Sequence, residues 1–159
     1  GKMNLADLII LDCEASGLSQ NSYPIEIGVA YNKDSFGFLI KPASDWNYWD
    51  TIAEKIHNIK REDLENSGIS VYDAVNILNS QLRGLTVYSD AFDFETFWID
   101  KLYSSVGVER NFKIESIYML NFNIEKYRKE KESLSKNIIT HRAENDSLII
   151  RESIIRSTK

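Results

Sequence analysis

The first 41 residues contain three apolar strand patterns joined by short connections, and this arrangement restricts the fold more than any other feature. Residues 5–11 form an apolar run that predicts a buried first strand. In Pro24–Tyr31, isoleucine and valine alternate with small or charged residues, which predicts a second strand. Residues 32–34 predict a hairpin turn, and residues 35–41 alternate again through two phenylalanines. We therefore expect three neighbouring strands in one sheet.

Beyond these strands the pattern changes to helices with two further strands between them. Helical patterns occur over residues 50–56, 61–66, 70–82, 94–106, 120–134 and 143–156. Short apolar runs at 85–88 and 113–117 predict the two strands. The expected fold is therefore a mixed α/β sheet of five strands, which begins with a three-strand antiparallel meander and is flanked by helices. Because 159 residues carry no repeat, low-complexity tract or linker, we expect one domain over residues 1–159.

The bulk composition excludes several classes of protein. No apolar run approaches the roughly 18 residues of a membrane-spanning helix, so no membrane partner is expected. Cys13 is the only cysteine, which excludes an internal disulfide and a cysteine-based zinc site and favours a cytoplasmic location. The net charge of -5 argues against a sequence-specific duplex binder, which usually has a basic face. A protein that holds metal ions on carboxylates needs no global positive charge.

Two carboxylates follow the first apolar run. Asp12 and Glu14 are two residues apart, and on an extended chain this spacing places both side chains on one face. Such a pair repels itself, and burial strengthens the repulsion. A divalent cation between the two acids would remove it, and oxygen ligands favour Mg²⁺ or Mn²⁺. The alternative is a pair of solvated acids at the end of a strand.

A histidine and an aspartate near the C-terminus form a second candidate pair. His141 and Asp146 would lie about 140° apart if both belonged to one helix, because each residue adds about 100° of rotation. Both can face one site if His141 lies in the loop before the helix and Asp146 lies in its first turns. A histidine on a loop suits a general base that must reach a water molecule. A surface histidine and an aspartate favoured by the helix dipole are the alternative.

Taken together, these segments resemble the three motifs of the DEDD-type 3′–5′ exonucleases, in the subgroup with a histidine in the third motif (DEDDh). That family includes polymerase proofreading domains, oligoribonuclease and ribonuclease T. The matching segments span most of the chain, and they are Asp12-x-Glu14, residues 23–28, residues 53–59, a central acidic stretch and His141-x4-Asp146. The resemblance implies a ribonuclease H-like fold.

The same resemblance implies a two-metal nuclease. Asp12, Glu14, Asp146 and a central acid would hold two Mg²⁺ or Mn²⁺ ions about 3.5–4 Å apart. His141 would act as the general base that takes a proton from the attacking water. The expected reaction hydrolyses terminal phosphodiesters at the 3′ ends of single-stranded RNA or DNA and releases nucleoside 5′-monophosphates. A homodimer is a further expectation, because several small members of the family dimerise.

The central acid is the point at which this sequence departs from the family pattern. The family places an Asp three residues before a buried aromatic residue and four before a buried aliphatic one, at the start of a helix. In that register the acid is Glu95, and Trp98 and Ile99 occupy the buried positions. Asp93 keeps the expected residue type but loses the register. Asp90 is a weaker candidate, expected to accept a hydrogen bond behind the metal ligands.

Several other residues are candidates for contact with substrate. Ser16 and Gly17 form a small-residue turn after the first motif, where the backbone can approach a ligand closely. Leu18 matches a position at which family members pack against the terminal base, and Glu26 matches an acid that bonds the terminal sugar. His57 matches a histidine beside the substrate channel. Core packing for Leu18 and His57, and an edge-strand carboxylate for Glu26, are the alternatives.

Two groups of residues could add to nucleic-acid contact. The basic cluster near residues 126–136 could meet phosphates, although interleaved glutamates favour a solvated helix face. Trp46, Tyr48 and Trp49 could stack on bases, although ordinary packing is favoured.

The departure at the central acid leaves two other functions open. One is a nucleic-acid-binding or scaffold domain that retains the fold with a weakened site. The other is a two-metal nuclease or phosphatase that does not act from a 3′ end.

Overall fold

Three antiparallel strands form first along the chain, as the alternating apolar residues predict. The computed structural model describes residues 4–158 and contains one five-stranded sheet with strand order β3-β2-β1-β4-β5. The strands are β1 (Ile10–Ala15), β2 (Pro24–Tyr31), β3 (Asp34–Leu39), β4 (Thr86–Ser89) and β5 (Lys113–Ser116). β1, β2 and β3 pair antiparallel, whereas β4 pairs parallel with both β1 and β5. The predicted mixed sheet with its initial meander is confirmed.

Six α-helices accompany these strands within the described residues. They are α1 (Thr51–His57), α2 (Arg61–Ser67), α3 (Val71–Leu82), α4 (Phe92–Val106), α5 (Ile124–Ser135) and α6 (Ala143–Ile155). Several begin directly after a residue whose side chain accepts a hydrogen bond from the first turn, such as Asp50, Ser70 and Asn123. No helix among residues 4–158 combines the length and apolar character needed to cross a membrane.

The first strand is displaced from its predicted position. Residues 5–11 were expected to be strand, but Leu5–Asp7 is a short 3-10 helix, and β1 runs from Ile10 to Ala15. The Asn4 side chain accepts a hydrogen bond from the Ala6 amide and so stabilises the helical turn. Asp12 and Glu14 therefore lie within β1, and not after it, because β2 pairs with β1 along its whole length.

Smaller differences at other boundaries also have local causes. The helix expected from residue 120 begins at Ile124, because the Asn123 side chain caps it. The strand expected to reach residue 117 ends at Ser116, whose hydroxyl accepts a hydrogen bond from the Tyr118 amide and begins a 3-10 turn. At the β2–β3 hairpin, Lys33 adopts a left-handed conformation with φ of 64°, which allows the tight turn that was predicted.

The sheet separates two apolar layers, and alternation along β1 assigns each of its residues to one of them. Leu11 and Cys13 face a large cluster that includes residues of α3 and α4. Ile10 faces a smaller cluster formed with residues of α5 and α6. Because side chains alternate along a strand, Asp12 and Glu14 point to the same side as Ile10. The candidate acids therefore face the layer of α5 and α6.

Candidate metal centre

Glycine at position 28 allows α6 to lie directly on the sheet beside the acids of β1. Gly28 pairs with Asp12 in the β1–β2 register. A Cβ atom at this position would lie 2.2 Å from the carbonyl carbon of Ala143 and 2.3 Å from the backbone nitrogen of Glu144, distances that real Cβ atoms do not reach. The first turn of α6 therefore rests on the backbone of β2. This close approach brings Asp146, in the same turn, to the side of the sheet that carries Glu14.

The N-terminus of α6 is also held by an ion pair with β2. Arg142 Nη2 lies 2.6 Å from Oε2 of Glu26, and Arg142 Nε lies 3.0 Å from each carboxylate oxygen. The Ala143 amide donates to Oε1 of the same carboxylate at 2.8 Å. Hydrogen bonds between a carboxylate and a guanidinium are among the stronger ones in proteins. The buried Glu26 is thus engaged in fixing the helix that carries Asp146, and β2 is an interior strand and not the edge strand considered above.

The loop before α6 supplies the histidine. His141 takes the left-handed backbone conformation with φ of 61°, which is uncommon for a residue with a side chain. Its amide donates to Oδ1 of Asp146 at 3.0 Å. One ligand atom from each of Glu14, His141 and Asp146 lies within 4.8 Å of the others. The arrangement expected from the sequence, with the histidine in the loop and the aspartate in the first turns of the helix, is the one found.

A second group of acids meets at Asp12. Ligand atoms of Asp12, Asp90 and Glu95 also lie within 4.8 Å of one another. Glu95 belongs to α4, which packs on the opposite side of the sheet from Asp12. Its carboxylate can reach Asp12 because β1 and β4 pair only at Ile10 and Tyr88, so the sheet is open beyond that point. Asp90 enters from the loop that follows β4.

The two candidates for the central acid are clearly separated. Glu95 is 1% exposed, and its Oε1 accepts a 2.5 Å hydrogen bond from the hydroxyl of the buried Ser89. Asp93 is exposed to solvent and belongs to neither acidic group. Side chains two positions apart in a helix point about 200° away from each other, so Asp93 and Glu95 cannot both face the sheet. Trp98 and Ile99 are buried as the register with Glu95 requires.

Burial and mutual repulsion disfavour the ionised forms of these acids. Burial, followed by repulsion from Asp146, raises the pKa of Glu14 to about 9. The pKa of Asp12 rises well above its ordinary value, first because of burial and then because of Glu95. Burial and the nearby Asp90 raise the pKa of Glu95, and burial raises that of Asp146. A bound divalent cation would offset both the burial and the repulsion of these acids.

The donor set fits a hard divalent metal ion. It consists of carboxylate oxygens from five residues and one imidazole, which suits Mg²⁺ or Mn²⁺. Oε2 of Glu95 is buried and has no hydrogen-bond partner within residues 4–158. The amide and thiol of Cys13 lie close enough to offset part of the rise in the pKa of Glu95, but they form no hydrogen bond of normal geometry with Oε2. A buried carboxylate oxygen without a partner is available for a metal ion.

Two side chains of α5 also face this centre: Lys131, from the basic cluster considered for contact with phosphates, and Tyr127, which the sequence did not single out. Lys131 Nζ lies 3.3 Å from Oδ2 of Asp90, and both line a cleft of about 180 Å³ together with Asp12, His141 and Asp146. Tyr127 lies four residues earlier in the helix and so on the same side. Tyr127 could have been found from its spacing of four residues from Lys131, but the many charged residues around the two obscured this pattern.

The turn after β1 carries residues predicted to contact substrate. Ser16 is buried, and its hydroxyl accepts a hydrogen bond from the Tyr23 amide at 3.1 Å. Gly17 lies against Tyr48, since a Cβ there would approach the Tyr48 ring to 2.6 Å. Leu18 is 69% exposed, so the core role considered for it is wrong. An exposed leucine beside the acids is free to contact a ligand.

The remaining candidates are packed into the protein. His57 is buried, and its Nδ1 accepts a hydrogen bond from the Ile59 amide at 3.0 Å. Burial lowers its pKa, and its ring contacts the edge of Trp49. Trp46 is buried and stacks on Tyr23 with ring centroids 5.3 Å apart, which favours core packing over base stacking for this tryptophan.

Comparisons with known proteins find solved structures of exonuclease I among the matches. No protein-family model and no curated protein matches the sequence. Exonuclease I from E. coli, in complex with a dA16 oligonucleotide, superposes with a TM-score of 0.71 at 11% identity. The chain has the fold of exonuclease I. The superposition covers 94% of this chain and 40% of the exonuclease I chain.

Other exonuclease I structures agree with this result. The moderately thermophilic exonuclease I from Methylocaldum szegediense has a TM-score of 0.65 at 13% identity, over 94% of this chain and 40% of that chain. A zinc-bound complex of E. coli exonuclease I with single-stranded DNA has a TM-score of 0.65 at 14% identity, over 94% and 38% of the two chains. The chain thus spans about two fifths of the length of exonuclease I. The expected ribonuclease H-like fold is confirmed.

Proposed function

We propose that this protein is a metal-dependent 3′–5′ exonuclease that hydrolyses the terminal phosphodiesters of single-stranded nucleic acid to nucleoside 5′-monophosphates. The observation that carries the proposal is that two groups of potential metal ligands both contribute to one cleft, on a fold shared with exonuclease I. Asp12 and Asp90 line this cleft from one group, and His141 and Asp146 line it from the other. The ligands come from β1, the β4–α4 region and α6, in the order of the three DEDD motifs.

The carboxylates have one shared task in this mechanism. Asp12, Glu14, Asp146 and Glu95 would hold two divalent cations, one at each group of ligand atoms. Bound there, Mg²⁺ or Mn²⁺ would neutralise the acids and stabilise the negative charge that develops on the phosphodiester. The rigid placement of β1 and α6 orients these acids before any substrate arrives, and such preorganisation is a large part of catalysis by charged groups.

His141 is placed to move the proton. Its side chain is exposed at the mouth of the cleft, while its amide is tied to Asp146. A neutral imidazole there can take a proton from the attacking water. The bond from the terminal phosphorus to the 3′ oxygen of the preceding nucleotide then breaks. The phosphate therefore remains on the released nucleotide as a 5′-monophosphate.

The substrate assignment rests on the neighbours and on the surface beside the acids. The exonuclease I structures contain single-stranded DNA oligonucleotides such as dA16 and dT13. In this protein, the exposed Leu18 and the buried turn of Ser16 and Gly17 follow the first two acids directly. We propose that they contact the terminal nucleotide, and that Glu26 and His57 support this region from behind.

The test uses single-stranded DNA and RNA oligomers labelled at the 5′ end, with Mn²⁺, with Mg²⁺ or with EDTA. Stepwise shortening from the 3′ end, abolished by EDTA and by Asp12→Asn, is expected. His141→Gln should retain Mn²⁺ binding but lose about 10²–10⁴-fold in rate, the usual contribution of a general base. Asp93→Asn is the matched control, because it makes the same change at an exposed aspartate near the site, and it should cleave like the wild type.

The other functions considered above predict different results. A scaffold domain would bind oligomers without shortening them in either metal. A nuclease that does not act from the 3′ end would cut circular or 3′-blocked oligomers, which an exonuclease leaves intact. Either result would overturn the proposed activity.

A further inference from the structure

At the central acid, this chain differs from the family pattern at two residues. The family pattern uses a single Asp, whereas this chain has the longer Glu95 at that position and a second acid, Asp90, five residues earlier. Asp90 is half-buried and directly follows the last residue of β4, close to Asp12. Any role for Asp90 extends the nuclease site proposed above and so rests on that proposal.

The geometry groups Asp90 with potential metal ligands. Ligand atoms of Asp12, Asp90 and Glu95 lie within 4.8 Å of one another, so one cation could contact all three. Glu95 reaches this point from the far side of the sheet, with its Oε1 already held by Ser89. The hydrogen bond occupies one lone pair of Oε1 and holds the carboxylate in place, whereas Oε2 is unpaired. Asp90 supplies a further carboxylate oxygen beside this tethered glutamate.

Two buried polar atoms near these acids are unpaired, which independently favours a ligand-binding role for this region. Oε2 of Glu95 has no hydrogen-bond partner among the described residues, nor has the hydroxyl of Tyr127, which is 3% exposed. Burial raises the pKa of Tyr127, and the charges of Asp90 and Asp12 raise it further. Buried polar atoms are rarely left unpaired in native proteins. Glu95 is itself a member of the group formed with Asp12 and Asp90, so its unpaired oxygen is available to a cation at that group.

The charge balance accounts for Lys131. Asp12, Glu14, Asp146 and Glu95 together carry four negative charges when ionised, which two divalent cations neutralise. Asp90 adds a fifth negative charge, and Lys131 lies 3.3 Å from it. The ion pair is partly exposed to solvent and therefore weak, so it would not prevent Asp90 from binding a divalent cation. An additional acid is thus accompanied by an additional base.

We propose that Asp90 is a direct metal ligand, which completes with Asp12 and Glu95 a cation position that the lone glutamate would leave incomplete. In this arrangement Lys131 compensates the extra charge and is not itself a ligand. The two residues therefore act on the cation with opposite signs. Loss of Asp90 removes a ligand, whereas loss of Lys131 removes a repulsive neighbour.

Manganese binding to the whole chain tests this directly, without substrate. Electron paramagnetic resonance and calorimetric titration should find two Mn²⁺ ions in the wild type. Asp90→Asn should weaken one of them at least tenfold, whereas Asp93→Asn should bind both as the wild type does. Lys131→Met should bind that ion several-fold more tightly. Thermal melting in EDTA checks that each variant is folded.

Three results would overturn the inference. If Asp90→Asn binds both ions like Asp93→Asn, Asp90 is not a ligand, and the proposed nuclease could still stand. If Asp90→Asn and Lys131→Met both weaken binding equally, Asp90 acts through its ion pair. If the wild type binds no Mn²⁺ at all, the proposed metal-dependent function fails together with the inference.

Discussion

At the scale of single residues, the site depends on a residue with no side chain. Gly28 carries no chemistry, yet it sets how closely the helix with Asp146 approaches the strand with Asp12 and Glu14. A sheet and a helix usually keep the distance that their side chains require. Here the helix start lies against bare backbone, and the acids of both elements meet across that contact.

Substitution of Gly28 by alanine should therefore weaken the site without touching a ligand. The added methyl group would displace the start of α6, and we expect a loss of about 1–3 kcal/mol in the free energy of unfolding. A displacement of about 1 Å at a catalytic group costs on the order of 100-fold in rate. Urea unfolding and the oligomer assay measure the two effects.

Gly37→Ala is the control for that prediction. Gly37 pairs with Gly28 on the neighbouring strand, but a Cβ there would lie 3.0 Å from the Cβ of Glu144 and 3.2 Å from the Ile27 carbonyl oxygen, a much milder approach than at Gly28. It should cost clearly less in both measurements. Equal effects from the two alanines would show that close approach at Gly28 is not what positions α6.

The choice between Asp93 and Glu95 shows how residue-scale prediction works. Residue type favoured Asp93, whereas the spacing to Trp98 and Ile99 favoured Glu95. The structure buries Glu95 beside Asp12 and exposes Asp93, because the direction of a helical side chain is set by its angle to the buried face. One methylene of extra length is accommodated by the opening between β1 and β4, which no local pattern reveals.

At the scale of elements, α6 is attached to the sheet by its first turn. The carboxylate of Glu26 accepts hydrogen bonds from the Arg142 side chain and the Ala143 amide, at the end of the helix where backbone amides lack partners. A negative charge at a helix N-terminus is also favoured by the helix dipole. β2 thus positions the loop and the helix that together carry His141 and Asp146.

Replacement of Glu26 by glutamine should loosen this attachment. The neutral amide turns one oxygen into a donor that faces other donors, and we expect a loss of about 1–3 kcal/mol in the free energy of unfolding. Glu152→Gln is the matched control, because Glu152 pairs with Arg156 on the exposed side of α6, and it should change stability by less than about 0.5 kcal/mol. Urea unfolding measures the stability of both variants. If Glu26→Gln is as stable as Glu152→Gln, the structural role of Glu26 is contradicted.

At the scale of the whole molecule, the acids converge from both sides of the sheet. Without a bound cation, ionisation of these acids lowers the stability of the folded state. The free energy of unfolding of the metal-free protein should therefore depend on pH. A carboxyl group whose pKa is higher in the folded than in the unfolded state binds its proton more tightly when folded. Its contribution to stability is therefore present at low pH and is lost as the pH rises through the folded pKa.

For Glu14 this loss should occur between about pH 4.5 and about pH 9. In EDTA, the free energy of unfolding of the wild type should fall relative to that of Glu14→Gln across this range. The limiting slope for one group is about 1.4 kcal/mol per pH unit. Urea unfolding at several pH values tests this, and Mn²⁺ should reverse the trend in the wild type. Parallel profiles for wild type and Glu14→Gln would contradict it.

Local sequence patterns were sufficient for the meander of β1 to β3 and for the helices, because alternation, helical periodicity and capping act between residues close in the chain. They were not sufficient for the start of β1, for the partnership of Glu26 with Arg142, or for the grouping of Asp90 with Asp12 and Glu95. Those features join segments separated by many residues. Only packing of the helices on the two sides of the sheet decides which charges meet, and therefore which of them share a cation.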